Sequence, residues 1–272
     1  MAVLQSGIIA FFTLLLGPVA RLAPIWPLLA LSMALTIVFL LVFRKTTNSV
    51  QVSRVKNLVQ AHILELRLFK DSPRILLSAL GKIVFHNVRY LALSLKPLLV
   101  MTVPIVLLLV HFESWFGYRP LHRGEATIVT VQTENATAPG LSIQSPPDIV
   151  VETASLWDQN LREMSWRIRP KAIGYHRLVI QGPNGSVEKI ITVADQGWPR
   201  LWPVTVKDGF WNQLWNPGEA TLPAENPVKQ VRVDYPVRSI RLWRWEMNWL
   251  LIFFLTSCLF GWIVSRRMKL VI

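Results

Sequence analysis

A single cysteine, Cys258, is all the chain offers to thiol chemistry, and it stands inside an apolar run near the C-terminus. No intrachain disulfide can form, so any part that folds outside the apolar runs must be held by packing alone. Histidine is equally sparse. His62, His86, His111, His122 and His176 show no ligand spacing, and the nearest pair in sequence, His111 and His122, has no adjoining cluster of Asp, Glu or Cys. That argues against a metal centre. A phosphate-cradling glycine loop, a Gly-x-Ser-x-Gly elbow and a cysteine pair are also missing, and each is the local signature of a common catalytic chemistry. The expectation is a protein that is not an enzyme, with no cofactor and no small-molecule substrate.

Acidic residues are the next shortage, 16 against 29 Lys and Arg for a net charge of +13. What the chain has instead is apolar bulk, 52% of its 272 residues, bunched rather than periodic. A soluble domain rarely joins such bulk to so strong a basic excess. Three stretches have the length and lack of charge of a membrane span: PIWPLLALSMALTIVFLLVF (24–43), LLVMTVPIVLLLVHFESWF (98–116) and MNWLLIFFLTSCLFGWIVS (247–265). Allowing for their edges, transmembrane helices are expected over 23–43, 97–116 and 245–265. A fourth stretch, GIIAFFTLLL at 7–16, is too short to span and has no Lys or Arg before it, as a signal peptide would. It reads as an interfacial or re-entrant helix in an N-terminal segment, 1–22. No charge lies at the middle of a span, which disfavours an ion transporter.

Basic residues predict the orientation. Between the first two spans, residues 44–96 hold Arg44, Lys45, Arg54, Lys56, Arg67, Lys70, Arg74, Lys82, Arg89 and Lys96 against only Glu65 and Asp71, a surplus of eight. Residues 117–246 carry fifteen basic and thirteen acidic residues, and the tail at 266–272 adds Arg266, Arg267 and Lys269. The positive-inside rule then puts 44–96 and the tail in the cytoplasm, and the N-terminus outside with 117–246, in a multi-pass protein of the cell membrane. Trp26, Trp115, Trp245 and Trp249 fall at the outer ends of the spans, where an aromatic belt is expected.

Within the basic segment, Val52, Val55, Val59, Leu66 and Phe69 keep a helical rhythm over 50–70, and Asp71-Ser72-Pro73 breaks it. A second helix is expected over 73–95, with Ile75, Leu76, Leu80, Ile83, Val84, Val88, Leu91 and Leu95 in register. The pair reads as a helical hairpin whose apolar stripes face each other or the bilayer. Its charge fits contact with anionic lipid and equally the docking of an acidic partner such as ribosomal RNA.

Residues 117–240 change character. ATIVTVQT, DIVVET, SWRIRP, YHRLVIQG, SVEKIITVAD and VKQVRVDY alternate with period two, and the Asn-Gly of QGPNGS is a hairpin turn signal. Six or seven strands suggest an antiparallel β-sandwich outside the membrane. DGFWNQLW at 208–215 is the exception, a short helix with Asp208 as its cap and Phe210, Trp211 and Trp215 on an aromatic face. That face either lies on the outer leaflet or plugs the open end of the sandwich. The fold class expected is thus membrane α-helical, three transmembrane helices plus a cytoplasmic helical hairpin, with an inserted extracytoplasmic all-β sandwich domain.

LLVFRKTTNSVQVSRVKNLVQAHILELRLFKDSP (40–73), LSLKPLLVMTVPIVLLL (93–109) and YPVRSIRLWRWEMNWLLIFFLTSCLFGW (235–262) carry a resemblance. An outside N-terminus, a span, a basic cytoplasmic hairpin and two more spans resemble the YidC-type membrane-protein insertase superfamily, nearest to the archaeal YidC-like proteins and the third subunit of the ER membrane protein complex. The resemblance implies an insertase or chaperone that works without nucleotide hydrolysis. Such a protein moves short polar client segments through a polar groove in the membrane. Its partners would be nascent membrane-protein clients, anionic lipid, and the ribosome or other membrane subunits. Groove candidates here are Ser32 and Thr36 in the first span, Thr102 in the second, and Asn248, Thr256 and Ser257 in the third, with Met33, Met101 and Met247 as adaptable apolar contacts. Two features depart from the family. No basic residue lies within 24–43, where bacterial members carry one, and the sheet domain follows the second span instead of preceding the core. The reading from another class is a membrane-anchored structural or sensory protein whose outer sandwich binds a ligand or envelope partner.

Overall fold

The computed structural model describes residues 7, 10, 12–14, 16–18, 22–46, 49–68, 73–134, 140–183, 185–216, 218, 221–223, 226–242 and 244–267. They fall into two compact units. One is helical, Ala30–Val106 with Phe253–Ile272, and the other holds the sheets, Met1–Leu29 with Leu107–Ile252.

In chain order, α1 spans Ile25–Thr46, α2 Ser49–Leu68 and α3 Pro73–Phe112, followed by a π-helical turn at Glu113–Gly117. The strands among the described residues are β1 Thr127–Thr133, β2 Ser142–Gln144, β3 Ile149–Val151, β4 Leu156–Asp158, β5 Glu163–Pro170, β6 Gly174–Gly182, β7 Gly185–Val193, β8 Val204–Val206, β9 Val228–Val233, β10 Ser239–Leu242 and β11 Trp245–Asn248. The short α4, Phe210–Trp215, lies between β8 and β9, and α5, Trp249–Arg267, follows β11. Among the described residues three helices are long and apolar enough to cross a membrane: Ile25–Thr46, a stretch within Leu77–Gly117, and Trp249–Arg267.

The helices differ from expectation at two junctions. Residues 73–95 and 97–116 do not form two elements, because α3 runs unbroken for 40 residues with Pro97 and Pro104 inside it. Proline removes one amide donor and kinks a helix in water, but apolar helices tolerate it where neighbouring groups re-satisfy the freed carbonyl. The third helix starts at Trp249 instead of 245, since Trp245–Asn248 pairs with Ser239–Leu242 in a two-stranded hairpin. The sheet region therefore extends past 240. Trp198 fixes the N-terminal segment, donating its indole N–H to the carbonyl of Leu22 at 2.8 Å. Gly7, Ala10, Phe12, Thr13, Leu14 and Leu16 are helical, and Phe12 packs edge-on against Phe112 at 5.5 Å.

All strand pairs are antiparallel. A six-stranded sheet has the order β3-β5-β1-β9-β8, with β4 paired to β5, and a second sheet has the order β2-β6-β7. Alternation makes the core. Val129 lies opposite Trp166 and Val233, and Val131 opposite Met164 and Val231. These rows join Leu178, Ile180, Val187 and Ile191 of the second sheet in one buried cluster. Gly185 closes the β6–β7 hairpin at φ +128°, a backbone region that favours glycine. Asn184, its expected turn partner, lies outside the described residues.

Candidate functional site

Thr36 and Ser32 occupy the inward face of α1, and the Thr36 hydroxyl donates to the Ser32 carbonyl at 2.7 Å. A Cβ placed on Gly261 of α5 would come within 3.3 Å of the Thr36 methyl. The two helices thus approach closely through a missing side chain, as small residues allow. Thr102 is exposed on α3 and donates to the Leu98 carbonyl at 2.9 Å. Thr256 is partly buried on α5, and its neighbour Ser257 has a buried hydroxyl with no hydrogen-bond partner. Asn248, expected inside the third span, instead ends β11, and its Oδ1 accepts the Leu250 amide at 2.8 Å to cap α5. Met33 is exposed, and Met101 and Met247 are partly so.

The basic residues are laid out along three helices. Arg44 and Lys45 close α1, Arg54 and Lys56 are exposed on α2, and Arg74, Lys82, Arg89 and Lys96 are exposed along α3. Arg67 lies on α2 with its side chain outside the described ones, and Lys70 lies outside the described residues. Basic pairs also end α5, at Arg266 and Arg267, with Arg266 stacked 4.0 Å over the Trp262 ring. Cations in the last turn oppose the helix dipole. Val52, Val55, Val59 and Leu66 form the less exposed face of α2. On α3 it is Ala79, Ile83 and His86 that turn inward, while Leu80, Val84, Val88, Leu91 and Leu95 are exposed. The reason is an imidazole pair that sequence spacing concealed. His62 and His86, 24 positions apart, stack at 5.4 Å, and His62 Nδ1 meets Glu65 Oε2 at 2.9 Å. The His62 contact holds the Glu65 carboxyl below its ordinary pKa.

In the sheet unit, α4 is capped by Gly209 without a side-chain bond, so Asp208 does not serve as its N-cap. Trp211 and Trp215 are exposed, and the Phe210 side chain lies outside the described ones. The expected aromatic belt divides. Trp26 and Trp245 are 65% and 70% exposed, but Trp115 and Trp249 are buried, at 4% and 2%. Trp249 donates to Glu113 at 2.9 Å, and its ring meets Phe112 and Phe116. Glu113 fits because Gly117 lacks a Cβ, which would lie 2.4 Å from its carboxylate oxygen. Burial and the adjacent Glu113 raise the pKa of the Tyr118 phenol.

Two buried cations, Lys189 and Arg238, and a partly buried one, Arg200, went unnoticed in the sequence. Lys189 occupies an inward position of β7 between Val187 and Ile191, and its ammonium donates to the Trp202 carbonyl at 2.6 Å and the Thr205 hydroxyl at 2.9 Å. Arg238 donates to the Tyr118 carbonyl at 3.0 Å, and burial lowers its pKa to about 10. Arg200 lies 3.9 Å over the Trp202 ring and 5.8 Å from that of Trp115, with its Nε donating to the Ser114 hydroxyl at 3.1 Å. The alternation of SVEKIITV could have marked Lys189. Arg200 takes its partner from 86 positions away, a distance no local pattern encodes. Among the described residues, no group of three or more His, Cys, Asp or Glu stands where it could hold a metal ion. No family model, curated protein or solved structure matches the chain.

Proposed function

We propose that the protein is a membrane-protein insertase or chaperone of the YidC-like type, acting without nucleotide hydrolysis. In this reading the N-terminus and the sheet unit, an extracytoplasmic sandwich, face outward, and residues 44–96 face the cytoplasm. The observation that carries it is α3, in which a basic stretch and an apolar one share a single helix with no linker. A client captured by the basic face would be delivered directly to the apolar part. Ser257 adds support, because an unpaired hydroxyl on an apolar helix suits a transient polar client. Thr256 beside it and Thr102 on α3 complete the surface assigned to clients, while Thr36 and Ser32 hold α1 against α5. Anionic lipid neutralises the hairpin between client encounters.

Photo-crosslinking tests this. A photoreactive residue replaces Thr102, Thr256 or Ser257 in membranes translating short proteins with small translocated tails, with the exposed Phe254 as control. Adducts to nascent chains at the three polar positions and not at Phe254 are expected. Adducts to lipid alone at all four would overturn the insertase reading. The second reading, a membrane-anchored protein whose sheet unit binds a ligand, is favoured by the Arg200 cluster.

A further inference from the structure

Arg200 is stacked, half-bonded and otherwise unsatisfied. Its Nε has the Ser114 hydroxyl, yet both terminal nitrogens are buried with no hydrogen-bond partner. The indole N–H of Trp115, beside it, is buried and unpartnered as well. A guanidinium carries only donors, and leaving several of them dry is costly unless an acceptor arrives. Burial lowers the Arg200 pKa to about 10. Among the described residues, donors therefore gather around one spot and no carboxylate pairs with the guanidinium.

Two cavities share Trp202 as a lining residue here. One of about 690 Å³ is lined by Arg200, Trp115, Trp202, Thr192 and Gln196. The other, about 320 Å³, is lined by Leu109, Val110, Trp249, Leu250 and again Trp202, together with Ser114. The first offers a cation and polar side chains. The second is mostly apolar, with Glu113 and Asn216 as its polar part, and Leu109, Val110, Trp249 and Leu250 come from the ends of two helices long and apolar enough to cross a membrane. A polar cavity and an apolar one sharing a wall fit an amphiphile better than a small soluble anion.

We propose that Arg200 and Trp115 bind a phosphate group, that of a phospholipid headgroup whose acyl chain enters the cavity between Leu109 and Trp249. The guanidinium fork engages two phosphate oxygens, and the Trp115 N–H a third. Trp202 holds the fork flat, and Lys189 fixes Trp202 through its carbonyl. Ser114 positions the segment from both sides, since its carbonyl also accepts the Leu201 amide at 2.8 Å. This site is independent of the insertase reading.

Native mass spectrometry of the full chain, purified in lipid-free and phosphate-free detergent and then titrated with phosphatidylglycerol or inorganic phosphate, tests the proposal. The wild type should retain one phospholipid, and Arg200→Gln should weaken retention by about tenfold or more. Trp115→Phe, which keeps a ring but loses the N–H, should weaken it by about threefold to tenfold. Arg200→Lys keeps the charge without the fork and should also weaken it, and with Trp115→Phe it carries the test if Arg200→Gln does not fold. Arg177→Gln, at an exposed arginine paired with Glu188 on the neighbouring strand, should leave retention unchanged. Binding of inorganic phosphate alone that depends on Arg200 would uphold the phosphate site and make a soluble phosphate its source. Retention untouched by the Arg200 and Trp115 substitutions, equal loss in Arg177→Gln, or capture of a fatty acid in place of phospholipid would each overturn the proposal.

Discussion

In the sheet unit, polar side chains bond across long stretches of chain. Trp198 reaches Leu22, Trp249 reaches Glu113, Arg238 reaches Tyr118 and Thr127 reaches Asp234. In the helical unit they bond backwards onto their own helices: Thr36 to Ser32, Thr46 to Val42, Asn87 to Ile83, Thr102 to Leu98 and Ser265 to Trp262. A long-range polar bond specifies which segments meet, whereas a bond to one's own preceding turn specifies nothing beyond the helix. The sheet unit is therefore fixed from within, by a core and by these long-range polar bonds, with the Arg200 fork and the Trp115 N–H left over. The helical unit, Ser257 apart, turns these hydroxyls and amides onto its own helices and leaves Leu98, Leu99, Val103, Phe254 and Leu259 exposed, an arrangement suited to an apolar phase.

Substitutions can break this contrast. The largest effect is expected at Lys189. Lys189→Met keeps the volume but removes the hydrogen bonds to the Trp202 carbonyl and the Thr205 hydroxyl, and should cost the sheet unit about 2–3 kcal/mol in denaturant unfolding of the detergent-solubilised protein followed by tryptophan fluorescence. Gly261→Leu should come next. With a Cβ already 3.3 Å from Thr36, the larger side chain should cost about 1–2 kcal/mol, read as a lower midpoint of helix loss in SDS. Acid should then separate the units by way of Glu125. Its paired hydrogen bonds from Arg119 and the His122 amide depress its pKa from 4.5 to about 2. The stabilisation is present above pH 4.5 and is lost as pH falls toward 2. Glu125→Gln should flatten the acid response of the fluorescence transition and leave helix loss unchanged. Thr36→Val should matter least, under about 0.5 kcal/mol in the same SDS assay, because its hydroxyl bonds only the preceding turn.

Sequence pattern carried the sheet region well where side chains alternate. Val129, Val131, Val231 and Val233 announce one face of two paired strands, and Gly185 of QGPNGS starts β7 opposite Gly182 at the end of β6. It failed where local pattern and neighbourhood disagree. Trp245–Asn248 adjoins an apolar run and looks like its beginning, yet the preceding Ser239–Leu242 offers a partner strand. Pro97 looks like a boundary, but the helix continues through it. For the groove candidates, the hydroxyls were visible and their partners were not, since only coordinates tell a side chain that turns to its own carbonyl from one that faces a client. The Arg200 cluster was illegible because it joins residues 111–118 to 198–202, and nothing in either stretch names the other.

Cys258 offers the most direct measurement of whether the helical unit sits in an apolar phase. It is exposed on α5 and is the chain's only thiol. In opened native membranes, with both faces accessible, a water-soluble maleimide should leave Cys258 unmodified and react only after SDS. A cysteine replacing Leu156, exposed on β4, in a Cys258→Ser background should react at once. Labelling of Cys258 in intact membranes as fast as at position 156 would place α5 in water and contradict the account.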